Sequence, residues 1–164
     1  LNFLPFHMRD NDPDISQSAI ALVYTGYLIG VVIALASLGL IKLFGGERRT
    51  LVAGSLVYLV GTAAFALPGN QLAYLSMLIF AAGMFTLHSV LSAFLNHLET
   101  ERKGLINGLY VSAYYCGGAL GSYFPGFIYQ SNGWSAFIGL LLLLLVMLTV
   151  LSMMLRHAAE SYVK

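Results

Sequence analysis

An all-α, polytopic membrane protein is what this sequence predicts, and three observations predict it. Of its 164 residues, 59% are hydrophobic and 9% are charged, with a mean hydropathy of +0.81, whereas soluble domains carry about 25% charged residues. Five stretches, 19–44, 50–67, 72–95, 105–129 and 135–155, come close to or exceed the roughly 20 apolar residues a helix needs to cross a bilayer. Runs such as Ile138 to Val150 do not alternate in polarity, unlike the strands of about 10 residues that build a membrane barrel. Helices and closed barrels are the two ways to satisfy a backbone in lipid, so helices are predicted throughout.

The chain opens on the apolar LNFLPF, and Leu1 to Phe6 reads as the outer end of an earlier, sixth helix. The acidic, proline-containing HMRDNDPDISQS follows as an external loop, with Asp14 or Ser16 placed to cap the next helix. The first full span has about 26 residues, or about 39 Å at 1.5 Å each, enough to tilt or to project beyond the hydrocarbon. It carries Gly26, Gly30 and Ala34 as a fourfold stripe. LFGGERR closes it, where Gly45 and Gly46 can adopt positive φ. PGNQ joins the second and third spans, NHLETERKG the third and fourth, and QSNGW the fourth and fifth. Connections this short make successive helices antiparallel neighbours. The fifth span contains six consecutive leucines, Leu140 to Leu145, and is apolar all round, which predicts a lipid-facing helix.

The fourth span holds GLYVSAYYCGGALGSYFPG, uncharged and dense in small residues and tyrosines. Gly108 with Ser112, and Ala113 with Gly117 and Gly121, repeat at fourfold spacing, a pattern that lets helix backbones approach closely in a bilayer. Gly117, Gly118, Gly121 and Pro125 are therefore predicted packing residues, with Pro125 also a kink. Cys116, the single cysteine, is expected to pack among them; an intrachain disulfide and a cysteine metal cluster are both excluded.

Charge distribution sets the orientation. Lys42, Arg48 and Arg49, then Arg102 and Lys103, then Arg156 and Lys164 all fall on one side of the predicted spans. Connectors Pro68 to Gln71 and Gln130 to Trp134 carry no basic residue, and Arg9 stands beside Asp10, Asp12 and Asp14. The positive-inside rule makes the C-terminus cytoplasmic and residue 1 external. A helix upstream of Leu1 would then bring the chain across, so residues 1–164 are expected to be one half-domain whose N-terminal half is missing.

YTGYLIG in the first full span and YYCGGALG in the fourth each set tyrosine before spaced glycines. With one helix counted upstream, these become the middle members of two triplets of opposite orientation, as in inverted-repeat transporters.

GLIKLFGGER, Gly39 to Arg48, followed by Arg49, resembles the G-x-x-x-D-R-x-G-R-R signature of the major facilitator superfamily of secondary transporters. Gly39 and Gly46 hold the register, while Leu43 and Phe44 stand where the signature has its aspartate and first arginine. FTLHSVLSAFLN and GLYVSAYYCGGALGSYFPGFIY are similar to bacterial efflux members of the arabinose-efflux-permease-like or drug:proton antiporter kind. The resemblance implies that the spans are helices eight to twelve of a twelve-helix protein in a bacterial inner (plasma) membrane. It further implies alternating access between two half-bundles, driven by a proton gradient, with Gly39, Gly46, Arg48 and Arg49 as a cytoplasmic gate loop.

His88 is the one ionisable side chain well inside a span, and such groups are functional candidates because their charge is costly to bury. Imidazole titrates near pH 6.5 when unperturbed, which suits a proton-coupled step. A neutral histidine bonded to Ser92, one turn on, or to a neighbouring helix is the plainer alternative. Met84, His88 and Ser92 share one helical face, with Asn96 extending it; Met84 as a gap filler and Asn96 as a helix cap remain open. Asn107, Tyr110, Tyr114 and Tyr115 offer polar groups and ring faces to a sugar or an aromatic cation, while Tyr110 also suits an interfacial anchor.

No enzyme is predicted. Paired mid-span histidines for haem, HExxH, a nucleophile–base constellation and the phosphate-cradling GxxxxGK[ST] are all missing from the sequence. His88 beside Ser89 is adjacency on diverging faces. No cofactor, metal or nucleic-acid partner is expected. The expected partners are the lipid bilayer, the missing half-bundle, a small-molecule substrate and protons. The function these features predict is proton-coupled efflux of a small organic solute, sugar or drug-like; the alternative is a non-transporting membrane scaffold or assembly subunit.

Overall fold

The computed structural model describes residues 1–98 and 101–154, and every regular element among them is helical. These are α1 (Leu4–Asn11), α2 (Gln17–Tyr24), a 3₁₀ turn (Thr25–Leu28), α3 (Ile29–Phe44), α4 (Glu47–Ala64), α5 (Gln71–Leu98) and α6 (Lys103–Met154). Arg156 and Lys164, which contribute to the charge asymmetry, and Leu155 at the end of the fifth predicted stretch lie outside the described residues.

Among the described residues, three helices are long and apolar enough to cross a membrane: Gln17–Phe44, Gln71–His97 and Lys103–Met154. The first joins α2, the 3₁₀ turn and α3. Helix α4, at 18 residues, is set apart by Glu47, Arg48 and Arg49, which occupy its first turn. The 52-residue α6 is interrupted at Gly133, whose φ of 76° and ψ of −173° are not helical. Tyr110, Ala113 and Tyr114 before this glycine border the same cavity as Leu148, Leu151 and Met154 after it. The arms 103–132 and 134–154 therefore fold back on each other at the turn that QSNGW predicts.

Local chemistry explains the ends. Ser16 Oγ accepts from the Ala19 amide at 3.1 Å and caps α2. Gly45 (φ 73°) ends α3, with Gly46 N–H reaching Ile41 O at 2.8 Å and Gly45 N–H reaching Lys42 O at 3.2 Å. That pair of bonds is a Schellman motif, which needs a left-handed residue after the cap. Helix α1 starts with Pro5 in its first turn and ends at Asn11. It thus runs past Phe6, where the apolar scrap was expected to end, into the segment read as a loop; Leu4 and Met8 are its buried face.

The closest helix contact is between α4 and α5. A Cβ on Gly61 would overlap the backbone of Phe80, and one on Gly83 would overlap the backbone of Tyr58, while Gly54 faces Thr86. Gly26 and Gly30 of the predicted stripe also pack closely, against Met77 and the Phe85 ring of α5, but Ala34 is exposed. The fourth-span glycines behave otherwise. A Cβ on Gly108, Gly117, Gly118 or Gly121 would meet nothing within 4 Å, and Cys116 is exposed. Within this chain these residues do not pack as expected, because the helix turns that face outward from the bundle; only Pro125, next to Gly126 against Phe3, is buried there. The fifth predicted span is corrected too. Phe137, Ile138, Leu145, Thr149 and Ser152 are buried along one side while Leu143, Leu144, Val146 and Met147 are exposed, so the leucine run has an inner face as well as an outer one.

An aromatic cluster closes the end of the bundle that carries α1. The His7 ring stacks on Trp134 at 4.2 Å with 5° between planes, Trp134 Nε1 donates to Phe65 O at 2.8 Å, and Asn70 Nδ2 donates to Met8 O at 3.0 Å. Burial lowers the His7 imidazole below its ordinary value, with Asp10 opposing. A lowered folded-state value means that the unfolded chain takes up the proton first. Stability from the neutral stack is therefore present above about pH 6.5, begins to fall as the pH drops through that value, and is lost below the folded-state value. Trp134 is the single tryptophan, so its emission is expected to titrate below about pH 6.5, and His7→Gln should abolish that titration in a fluorescence scan.

Candidate functional site

The same close approach that brings α4 onto α5 positions a cavity beside them. It has a volume of about 660 Å³ and lies between α4, α5 and both arms of α6. Polar side chains from each contribute: Tyr58 from α4, His88 from α5, Tyr110 and Tyr114 from the first arm of α6, and Ser152 from the second. Leu51, Leu87, Leu91, Met84 and Leu148 supply apolar wall.

His88 is half-buried and held across helices. The Tyr110 hydroxyl lies 2.7 Å from His88 Nδ1 and 3.3 Å from the His88 carbonyl oxygen. The His88 ring centroid is 5.6 Å from that of Tyr110 and 5.0 Å from that of Tyr114, both tilted. Ser92, the partner considered for His88, does not take that role: its carbonyl accepts from Asn96 Nδ2 at 2.9 Å. Asn96 is more than a helix cap, since the same nitrogen donates to Asn107 Oδ1 at 3.2 Å and ties α5 to α6.

Of the residues singled out in the sequence, the structure brings Met84, His88, Tyr110 and Tyr114 into one cavity. Ser92, Asn107 and Tyr115 do not line it. Tyr115 is 70% exposed and touches the cavity only through its edge contact with the Tyr114 ring at 5.5 Å. Sequence reasoning missed Tyr58 and Ser152. Tyr58 left a signal, lying between Gly54 and Gly61 at helical spacing and so on the face those glycines press against α5. Among the described residues no group of three or more metal-ligating side chains occurs.

The sequence profile described as Major Facilitator Superfamily matches residues 2–164. The chain belongs to the major facilitator superfamily. Searches of curated proteins and of solved structures give no significant match. Members of the superfamily are membrane transporters, and its multi-pass helical fold agrees with the all-helical architecture and the three spanning-length helices.

The segment Gly39 to Arg49, which resembles the superfamily signature, spans the end of α3 and the start of α4. Gly39 meets no neighbour. Gly46, with φ 126°, turns the chain into α4, and the first turn of α4 is tied to two other helices. Glu47 Oε1 lies 2.6 Å from His97 Nδ1 at the end of α5, and Arg48 Nη2 donates to Met153 O at 2.6 Å near the end of α6. Arg49 is exposed. Leu43 and Phe44, in the signature's acidic and basic positions, are exposed and carry no charge. The side-chain contact at this end of the bundle is instead made by Glu47, whose partner His97 lies 50 residues away. His97 is 69% exposed, so the contact lies at the surface and adds little to stability.

Proposed function

We propose that this superfamily member moves a small organic solute, sugar or drug-like, out of the cell by alternating access, with proton movement coupled through His88. The observation that carries the reading is the cavity framed by His88, Tyr110 and Tyr114. It puts the imidazole of His88 beside a space of ligand size, within the range of about 300–1,000 Å³ common for binding sites. Five crossings are proposed: Gln17–Phe44, α4, α5, and the two arms of α6. Residues 1–164 would then be the C-terminal half-bundle, its C-terminus cytoplasmic in a bacterial inner membrane. The open small-residue face at Gly108, Gly117, Gly118 and Gly121 supports contact with an N-terminal half-bundle. Glu47, Arg48 and His97 would form the cytoplasmic gate.

That open face also favours a second reading, a non-transporting scaffold that packs against a partner subunit. Vesicles containing the full-length gene product separate the two. Transport accompanied by proton flux that falls in His88→Ala supports the transport reading; transport and flux unchanged in His88→Ala would remove the coupling role. No transport of any solute would leave the scaffold.

A further inference from the structure

Helix α1 grips α6 on both sides of its break at Gly133. Before the break, the Tyr129 hydroxyl donates to Asp10 Oδ2 at 2.8 Å, and the Tyr129 ring stacks on Phe3 at 5.6 Å. After it, the His7 ring lies flat on Trp134 at 4.2 Å, and Phe3 meets Phe137 edge-on at 5.5 Å. Gly133, with φ 76°, takes a left-handed conformation that glycine enters at no steric cost. The two arms that meet there both border the cavity, the first through Tyr110 and Tyr114, the second through Leu148 and Ser152. The turn at Gly133 sets their spacing, and α1 spans that turn.

The grip fits a neutral His7. An amide nitrogen only donates, so the Asn11 Nδ2 that lies 3.0 Å from His7 Nε2 needs a lone pair there. A second ring proton takes that lone pair and sets donor against donor. The groups that face the ring are Asp10 and Asn11 on α1, Tyr129 and Trp134 on α6, and the uncharged turn 65–70 between α4 and α5. Asp10 already accepts from Tyr129, so drawing its carboxylate toward an imidazolium loosens the hold on the first arm. The indole face attracts an imidazolium, as Asp10 does, but burial holds the half-buried ring below its ordinary value against that carboxylate.

We propose that α1 is a pH-operated clasp: protonation of His7 releases α1 from Trp134 and lets the arms 103–132 and 134–154 move apart at Gly133. The clasped form prevails above about pH 6.5, the ordinary imidazole value that the released ring recovers, and gives way as the pH falls below it. The clasp is independent of which solute moves and in which direction.

Double electron–electron resonance on the full-length protein in a Cys116→Ser background tests this. Spin labels at Phe6→Cys and Ser131→Cys report the clasp, and labels at Leu120→Cys and Leu143→Cys report the arms; all four positions are exposed. Between about pH 8 and about pH 5, on either side of the imidazole value, both pairs are expected to gain a population longer by at least about 5 Å, the scale of a one-turn helix shift. His7→Phe, which keeps a stacking ring without a proton site, should hold both distances at the lower pH. Asn11→Asp, which offers the imidazolium an acceptor, should diminish the acid population. Unchanged distances in the unsubstituted chain, the same acid shift in His7→Phe, an undiminished shift in Asn11→Asp, or release of the clasp with no change between the arms would each overturn the proposal.

Discussion

Gly83→Leu is expected to lower the stability of the helical bundle by about 3 kcal/mol, the upper end of overpacking costs. The reason is local and geometric. Even a methyl group on Gly83 would overlap the backbone of Tyr58, and Gly61 stands in the same relation to Phe80. A bulkier side chain has no flexible neighbour to displace, so α4 and α5 must separate. Separation would also move Tyr58 out of the cavity wall it shares with His88. Gly117→Leu is the contrast: nothing lies within 4 Å of its Cβ position, and the unfolding of this chain should not change. Thermal unfolding followed by circular dichroism in detergent compares the two. Equal melting temperatures for both variants would contradict the account of which glycines hold the bundle together.

That contrast also shows what could be read in advance. Glycines at helical spacing mark a face that is able to pack, and the first-span prediction at Gly26 and Gly30 matches their contacts with α5. The same spacing at Gly117 and Gly121 marks a face that meets nothing within the chain. Periodicity is a property of one helix; its rotation about its own axis is set by its neighbours, which a local pattern does not encode. His88, Tyr110 and Tyr114 were legible for a different reason. A titratable group in an apolar run and a cluster of tyrosines in another stand out by composition alone, and both proved to face one cavity. The Glu47–His97 contact was not legible, since 50 residues separate its partners and each reads alone as an ordinary polar residue near a helix end. The fifth span's inner face was hidden because leucine serves equally against lipid and against protein.

His88→Ala is the second large effect, an expected loss of about tenfold or more in solute-coupled proton flux, equivalent to about 1.4 kcal/mol. The substitution removes the imidazole from the cavity wall and leaves the Tyr110 hydroxyl without its 2.7 Å partner. Tyr110→Phe preserves the ring and deletes only the bond that orients the imidazole. Its expected loss is smaller, about fivefold, corresponding to one net hydrogen bond of about 1 kcal/mol. Initial rates of proton and solute movement, measured together in vesicles, distinguish a coupling role from a positioning one. His88→Ala should lower the ratio of protons to solute, while Tyr110→Phe should slow both and leave the ratio unchanged.

Water-side access to the cavity is the central claim, and thiol labelling measures it most directly. Cys116 is the single cysteine, so a Cys116→Ser background permits one reporter at a time. Tyr114→Cys would place a thiol on the cavity wall, and Leu143→Cys would place one on the outer face of the leucine run, where Leu143 is 59% exposed. In sealed vesicles a membrane-impermeant maleimide is predicted to modify Tyr114→Cys and to leave Leu143→Cys unreacted. Equal inertness of both positions to the impermeant reagent, with equal reactivity toward a lipid-soluble one, would contradict the reading of this cavity as a solute path.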